Sequence, residues 1–282
     1  MLTAPKVGLG LRREMLNEMA HHVPDDIDFF EVAPENWMQL GGRFQKSFQA
    51  LTEQYEFYTH GLSLSIGGPE KLDIDFVKDI KQFLDLHQIQ VYSEHLSYCS
   101  GLGHLYDLMP IPFTQEAVFH VAERVKQVQD IIERPLILEN VSFYAAPGAE
   151  MTELEFILAV LTEADCQLLL DVNNIYVNSV NHRYDPLAFL NSIPQERIHY
   201  LHIAGHFQQT ADLIIDSHGA DVSDPVWQLL HECHQRHGVF PTLLERDFNI
   251  PETETLLMEI RKIKQYQKKT IHSSQAHFSR SA

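Results

Sequence analysis

Eight short, β-rich apolar runs recur along this chain, and the stretches between them carry helical patterning. The runs are VGLGL (7–11), DFFEV (28–32), YEFYTH (55–60), IQVYSEH (89–95), PLILEN (135–140), QLLLDV (167–172), IHYLHIAG (198–205) and PTLLERD (241–247). The helical segments between them are RREMLNEMAHHV, GRFQKSFQALTEQ, DIDFVKDIKQFLDLHQ, TQEAVFHVAERVKQVQDIIE, TELEFILAVLTEA, DPLAFLNSI and VWQLLHECHQRHG. A last one, ETETLLMEIRKIKQYQKK, follows the eighth run, with Pro251 placed for a helix start. The clearest helix begins at Thr114, a natural N-cap, and keeps Ala117, Val118, Val121, Ala122, Val125, Val128, Ile131 and Ile132 close to helical spacing. Strands that alternate with helices pair in parallel, because a parallel neighbour needs a crossover. Eight such units predict an α/β fold of the closed (β/α)8 TIM-barrel type. An open doubly wound sheet is the competing arrangement, but the first run is not followed by a glycine-rich phosphate loop. No linker or break in composition divides the chain, so a single domain over 1–269 is expected, with a polar, loose tail at 270–282.

The charge balance narrows the partners. Against 21 lysines and arginines stand 39 aspartates and glutamates, a net charge of −18, and no basic cluster interrupts it. Such a surface repels phosphate backbones, so no nucleic-acid partner is expected. Cys99, Cys166 and Cys233 are far apart and odd in number, which fits a reducing compartment without a disulfide framework. The N-terminal stretch lacks the apolar segment of a signal peptide, and no apolar run is long enough to span a bilayer. A cytoplasmic protein with no membrane partner is the expectation. The 17 histidines are many for this length. Those in helical or tail segments (His21, His22, His120, His231, His234, His237, His272 and His277) read as surface residues.

The strand ends carry the chemistry. In a barrel of this kind the active site lies at the C-terminal ends of the strands. There the third run ends in His60, the fourth in Glu94 and His95, the fifth carries Glu139, the sixth Asp171, the seventh His202 and the eighth Glu245. Intervals of 35, 44, 32, 31 and 43 residues separate His60, His95, Glu139, Asp171, His202 and Glu245, each about one βα unit. Asp216 and His218 follow the seventh run in a DSHG loop. Taken singly, a strand histidine is more often a hydrogen-bonded core residue, and a terminal carboxylate more often a helix cap. Six ligand-type residues in one register are a different matter: three imidazoles and three carboxylates share a small volume only around a cation. Without cysteine among them, a sulfur-bound zinc or an iron–sulfur cluster is disfavoured, and iron, manganese or catalytic zinc fits. The ligands exceed the needs of one ion. Asp171 and Asn174 are spaced to face two neighbouring ions, with Glu139 placed to bridge a pair.

GLGLR (8–12), EVAPENWM (31–38), HGLSLSIGG (60–68), SEHLSY (93–98), LENVSFY (138–144), LLDVNNIYVNS (169–179), YLHIAGH (200–206), DSHG (216–219) and LLERDFNIP (243–251) resemble a known family. It is the multinuclear non-haem iron oxidase family, which includes the methanobactin-biosynthesis oxidase and the 3-thiaglutamate-pathway enzyme. The resemblance runs to about residue 260 and implies a xylose-isomerase-like TIM barrel, akin to endonuclease IV, with two or three iron ions (Fe2+/Fe3+). Zinc or manganese is the alternative metal. By position, one ion would take His60, His95 and Glu139, and a second Glu139, Asp171, His202 and Glu245. A third would take Asn174, Asp216 and His218. Endonuclease IV has a histidine where this chain has Asn174, which weakens the third site. The resemblance further implies dioxygen-dependent modification of cysteine in a ribosomally made precursor peptide, together with a small partner protein that binds the peptide leader. Asp247 is the candidate catalytic proton acceptor, with orientation of a ligating histidine as its alternative role. His206 and Glu31 are candidates for substrate or supporting contacts, and His104, in the loop GLGH, for the entrance. Two other functions compete: a metal-dependent hydrolase or isomerase of phosphate esters or sugars, and a non-catalytic metal-binding partner protein.

Overall fold

Runs of Val, Ile, Leu and Phe that are buried on both faces form strands of a parallel sheet covered by helices. The computed structural model describes residues 5–100 and 103–278. Its strands are β1 (Val7–Gly10), β2 (Phe29–Val32), β3 (Glu56–Gly61), β4 (Val91–His95), β5 (Tyr98–Ser100), β6 (His104–Met109), β7 (Leu136–Glu139), β8 (Gln167–Asp171), β9 (Ile198–Ile203), β10 (Phe207–Thr210), β11 (Leu213–Ile215) and β12 (Thr242–Leu244). Its α-helices are α1 (Leu16–His21), α2 (Gly42–Thr52), α3 (Ile74–Leu86), α4 (Gln115–Ile132), α5 (Glu153–Ala164), α6 (Val172–His182), α7 (Pro186–Ser192), α8 (Asp224–His237) and α9 (Thr253–Phe278). The eight expected strands close into a parallel barrel in the order β1-β12-β9-β8-β7-β4-β3-β2, as the alternation of runs predicts. No helix of the described residues is long and apolar enough to cross a membrane.

Backbone contacts group the chain into two compact units. The unit of residues 11–23 and 30–169 holds β3, β4 and β7 with α1 to α5. Helices α3, α4 and α5 start on side-chain caps. Asp73 accepts from the Phe76 N–H, Thr114 from that of Ala117, and Thr152 with Glu155 forms a reciprocal capping box. Helix α4 buries most of the apolar residues read from its spacing, Ala117 and Ile131 staying half-buried at the edge, and ends at Glu133, in left-handed conformation. Trp37, Phe48 and Phe83 stack in series within this core. The unit of residues 1–10, 24–29 and 170–282 holds β1, β9 and β12 with α6 to α9, and its helix α8 packs on α6, α7 and α9.

Several expectations need correction. Two antiparallel hairpins, β5–β6 and β10–β11, stand apart from the barrel and were not foreseen. Their strands are short and irregularly paired, so they lack a continuous alternation of apolar residues. His104 heads β6 instead of lying in a loop. The VNNIYVNSVNH segment, whose spacing carries no apolar stripe, is α6. The eighth strand stops at Leu244, which puts Glu245 and Asp247 in the loop beyond it. Helix α9 continues to Phe278 and buries Thr270, through much of the tail expected to be loose. Residues 279–282, with Gly101 and Leu102 of GLGH, lie outside the described residues. His234 and His237, read as surface residues, are buried in α8.

Candidate metal centre

In the unit of residues 11–23 and 30–169, the site starts from strand register. Parallel pairing sets His60 beside Ser93 and His95 beside Glu139. The Ser93 hydroxyl donates to the Thr59 carbonyl at 3.2 Å, so its lone pair accepts from His60 Nδ1 at 2.8 Å. His95 Nδ1 lies 3.0 Å from the Gly61 carbonyl, which can only accept. Both rings therefore carry their proton on Nδ1, and both Nε2 atoms present lone pairs. Those two nitrogens are 3.1 Å apart, and Glu139 Oε2 is 3.1 Å from one and 3.4 Å from the other. Two nitrogen lone pairs and a buried carboxylate oxygen aimed at one point repel unless a cation sits among them. The donor set thus fits a metal ion of the imidazole–carboxylate type.

Behind His60 lies a pair of carboxylates, Glu94 and Glu35, outside the ligand groups. Glu94 accepts from the Tyr92 hydroxyl at 2.9 Å and from the Leu64 N–H at 3.1 Å. Burial, with the nearby negative charge of Glu35, pushes its carboxyl up to about 8. Glu35 accepts from the N–H groups of Leu62 and Ser63 at 2.7 and 2.8 Å, tying the segment after β2 to the segment after His60. Gly61 is glycine for a steric reason: a Cβ there would overlap the Glu94 carboxylate. The motifs EVAPENWM and SEHLSY contained these residues, but pairing between them is a tertiary fact.

In the other unit, Asp171 ends β8 and caps α6, its Oδ1 accepting from the Asn174 N–H at 2.7 Å. Its Oδ2 is 4.0 Å from His202 Nδ1, and Glu245 Oε2 is 3.0 Å from that same nitrogen. Glu245 Oε2 also lies 3.2 Å from His218 Nδ1, with Asp247 Oδ2 at 3.2 Å from the latter. Across the His218 ring, Nε2 faces Asp216 Oδ1 at 2.8 Å. His218 is held at φ 46°, a left-handed conformation that a non-glycine residue rarely adopts, and its carbonyl accepts from the Asp247 N–H. Burial disfavours charge on His218, but Asp216 and Glu245 outweigh it and push its pKa well above the ordinary value. Glu245 is the mirror case. Burial alone would raise its pKa, yet His218 and His202 hold it well below the carboxylate range. Three carboxylates around one imidazole are an excess of negative charge, which a divalent cation would balance.

A supporting chain reaches this group through a residue not singled out from sequence. His206 Nδ1 donates to Asn173 Oδ1 at 2.7 Å, and Asn173 Nδ2 donates to Asp216 Oδ1 at 2.9 Å. The His206 ring stacks on Tyr176 at 5.4 Å. Asn174 is buried one residue further along, and Glu31 is buried in β2. The structure thus brings His60, His95 and Glu139 together in one unit, and Asp171, His202, Glu245, His218, Asp216 and Asp247 in the other.

Three comparisons place the chain among known proteins. A family model described as RiPP precursor modification enzyme MbnB/TglH/ChrH matches residues 6–268. A protein of Shewanella sediminis named UPF0276 protein is 71% identical over 98% of both chains, and another so named from Pseudomonas aeruginosa is 53% identical over 93% of both. Among solved structures, a D-tagatose 3-epimerase-like protein matches with TM-score 0.63 at 13% identity, covering 95% of this chain and 99% of its own. An L-ribulose 3-epimerase matches with TM-score 0.62, also at 13% identity, covering 97% and 98%. At that identity the structural likeness speaks for the xylose-isomerase-like barrel alone.

Proposed function

Because the chain belongs to the RiPP precursor modification enzyme MbnB/TglH/ChrH family, we propose that it is a multinuclear iron oxygenase or oxidase that modifies cysteine in a ribosomally made peptide. His60, His95 and Glu139 hold one ion. Asp171, His202 and Glu245 serve a second, and Asn174, Asp216 and His218 a third. A small leader-binding partner protein presents the peptide, and the reaction takes place in the cytoplasm. The observation that carries this reading is the pair of Nε2 lone pairs 3.1 Å apart with the Glu139 carboxylate against both.

Bound iron supplies a Lewis acid that keeps a substrate thiol deprotonated and a redox partner for dioxygen. The chain's own residues do the rest. Ser93 and the Gly61 carbonyl fix the tautomers of His60 and His95, which keeps both Nε2 atoms available as ligands. Asp247, the partly exposed carboxylate beside His218, takes a proton from the substrate. Asn173 holds Asp216 and His206 in place.

The test is anaerobic purification with metal analysis, followed by co-expression with a cysteine-containing precursor peptide and a small leader-binding protein. An oxygen-dependent mass change confined to the cysteine, lost when iron is withheld, is the expected result. Full occupancy by zinc with no iron-dependent activity would overturn the proposal. Zinc-supported turnover of a phosphate ester or sugar without oxygen would establish the hydrolase or isomerase alternative instead.

A further inference from the structure

The GLGLR motif ends in Arg12, and Arg13 follows it. Neither belongs to the ligand groups above. Together with Leu11, Ala33, Asn36 and Trp37 they line a cavity of about 200 Å³, every residue of it within the unit that carries His60, His95 and Glu139. Arg13 is exposed and fixed by backbone: its Nε donates to the Asn36 carbonyl at 2.8 Å, and its Nη2 bonds to the same oxygen. A carbonyl orients a guanidinium but does not neutralise it. No carboxylate of the described residues pairs with Arg13, in a chain with 39 acidic and 21 basic side chains. Arg12 is half-buried at the same cavity, and the nearly buried Trp37, with Leu11 and Ala33, supplies apolar wall, where an ionic contact is less screened than in open water.

Location supplies the rest. Ala33, Asn36 and Trp37 directly follow β2, on the C-terminal side of that strand. Glu35, between them, bonds to Leu62 and Ser63, two and three residues after the ligand His60. The cavity wall is thereby fastened to the segment that leaves the first ligand group.

We propose that this cavity is an anion subsite that receives a carboxylate of the substrate peptide, which Arg13 grips beside Trp37. The inference rests on the peptide-modifying reading and adds to it the feature that docks the peptide. The carboxylate belongs either to the peptide's C-terminus or to an aspartate or glutamate side chain.

The experiment titrates the full-length protein with three probes: N-acetyl-triglycine as free acid, the same peptide as C-terminal amide, and N-acetyl-Gly-Asp-Gly amide. Trp37 fluorescence is the local reporter, since the only other tryptophan is Trp227, and W37F identifies the signal. The expected result is saturable binding of at least one carboxylate probe, at least about tenfold tighter than the neutral amide. Binding weakens with added salt and by a similar factor in R13Q. Preference for the free acid assigns the C-terminus, and preference for the aspartyl amide assigns a side chain. Equal binding of all three probes, no saturable change with any, or unchanged binding in R13Q overturns the proposal. The wild-type comparison decides even if a variant fails to fold. Metal content measured on the same samples separates the two readings. Carboxylate selectivity without a metal requirement leaves this subsite standing when the iron chemistry fails, and metal-loaded protein without selectivity does the reverse.

Discussion

His60 and His95 face each other as lone-pair donors only because Ser93 and the Gly61 carbonyl dictate their tautomers, and Glu139 completes the triangle. Replacing Glu139 by alanine removes the one charge that makes a cation favourable there. Metal analysis of E139A is expected to show at least one ion fewer per chain than wild type, with the far-ultraviolet circular dichroism of the barrel intact. Support at one remove is weaker. Asn173→Ala breaks the chain from His206 to Asp216 and should lower affinity for the ion beside His218 by about 10–100-fold, read by competition with a chelating dye. A third residue tests stability without touching any metal. His234 is buried in α8 and neither ring nitrogen has a hydrogen-bond partner among the described residues. Burial, helped by His231, depresses its pKa from 6.5 to about 3. The folded state then resists protonation that the unfolded chain accepts, so stability is full above about pH 6.5 and falls as the pH drops toward 3. By pH 4 the loss is roughly 3 kcal/mol. Urea unfolding of wild type and His234→Leu across pH 4–7 should show the slope largely removed in the variant. An unchanged slope would assign the pH dependence to other groups.

At the scale of elements, Asp171 does two things at one junction: it ends a buried strand, and it starts α6 by capping Asn174. Asparagine caps a helix about as well as aspartate but carries no charge. Both Asp171→Asn and Asp171→Ala should therefore lose metal, but in metal-free buffer Asp171→Asn should keep the urea stability of metal-free wild type within a few tenths of a kcal/mol, whereas Asp171→Ala should lose about 1 kcal/mol. Denaturation and metal content measured on both variants separate the roles. This junction also marks where the sequence was legible. The strands and amphipathic helices were readable because an apolar face imposes its period on the sequence, as α4 shows from Val118 to Ile132. The imidazoles and carboxylates gathered at strand ends were readable because such a residue closing an apolar run breaks that period. Helix α6 was hidden because its polar asparagines bury against the site, so no apolar stripe announces it. Glu35, Glu94 and Asn173 were hidden for another reason: each acts through partners that only the tertiary fold delivers. His234 shows the limit from the other side, since polar composition alone misplaced a residue that the core encloses.

For the whole molecule, the closed barrel and the ligand groups tie metal occupancy to folding. A closed sheet has no edges to fray, so its strand ends are placed by the same hydrogen bonds that hold the sheet together. His202 and Glu245 are buried, His218 is half-buried beside Glu245, and the three are assembled only in the folded chain. An ion that binds the native state and not the unfolded one stabilises by mass action, about 3 kcal/mol when free metal is a hundredfold above Kd. For a chain of this size that corresponds to a rise in melting temperature of roughly 5 °C. Chelation of the purified protein is therefore expected to lower the melting temperature by that amount, and anaerobic addition of ferrous iron to restore it. The same titration on E139A should recover only part of the shift, because one ligand group is lost while the carboxylates around His218 remain. Scanning calorimetry on the chelated, reloaded and variant proteins measures all three. An identical melting temperature with and without metal would mean that the side chains gathered at these strand ends hold one another without an ion.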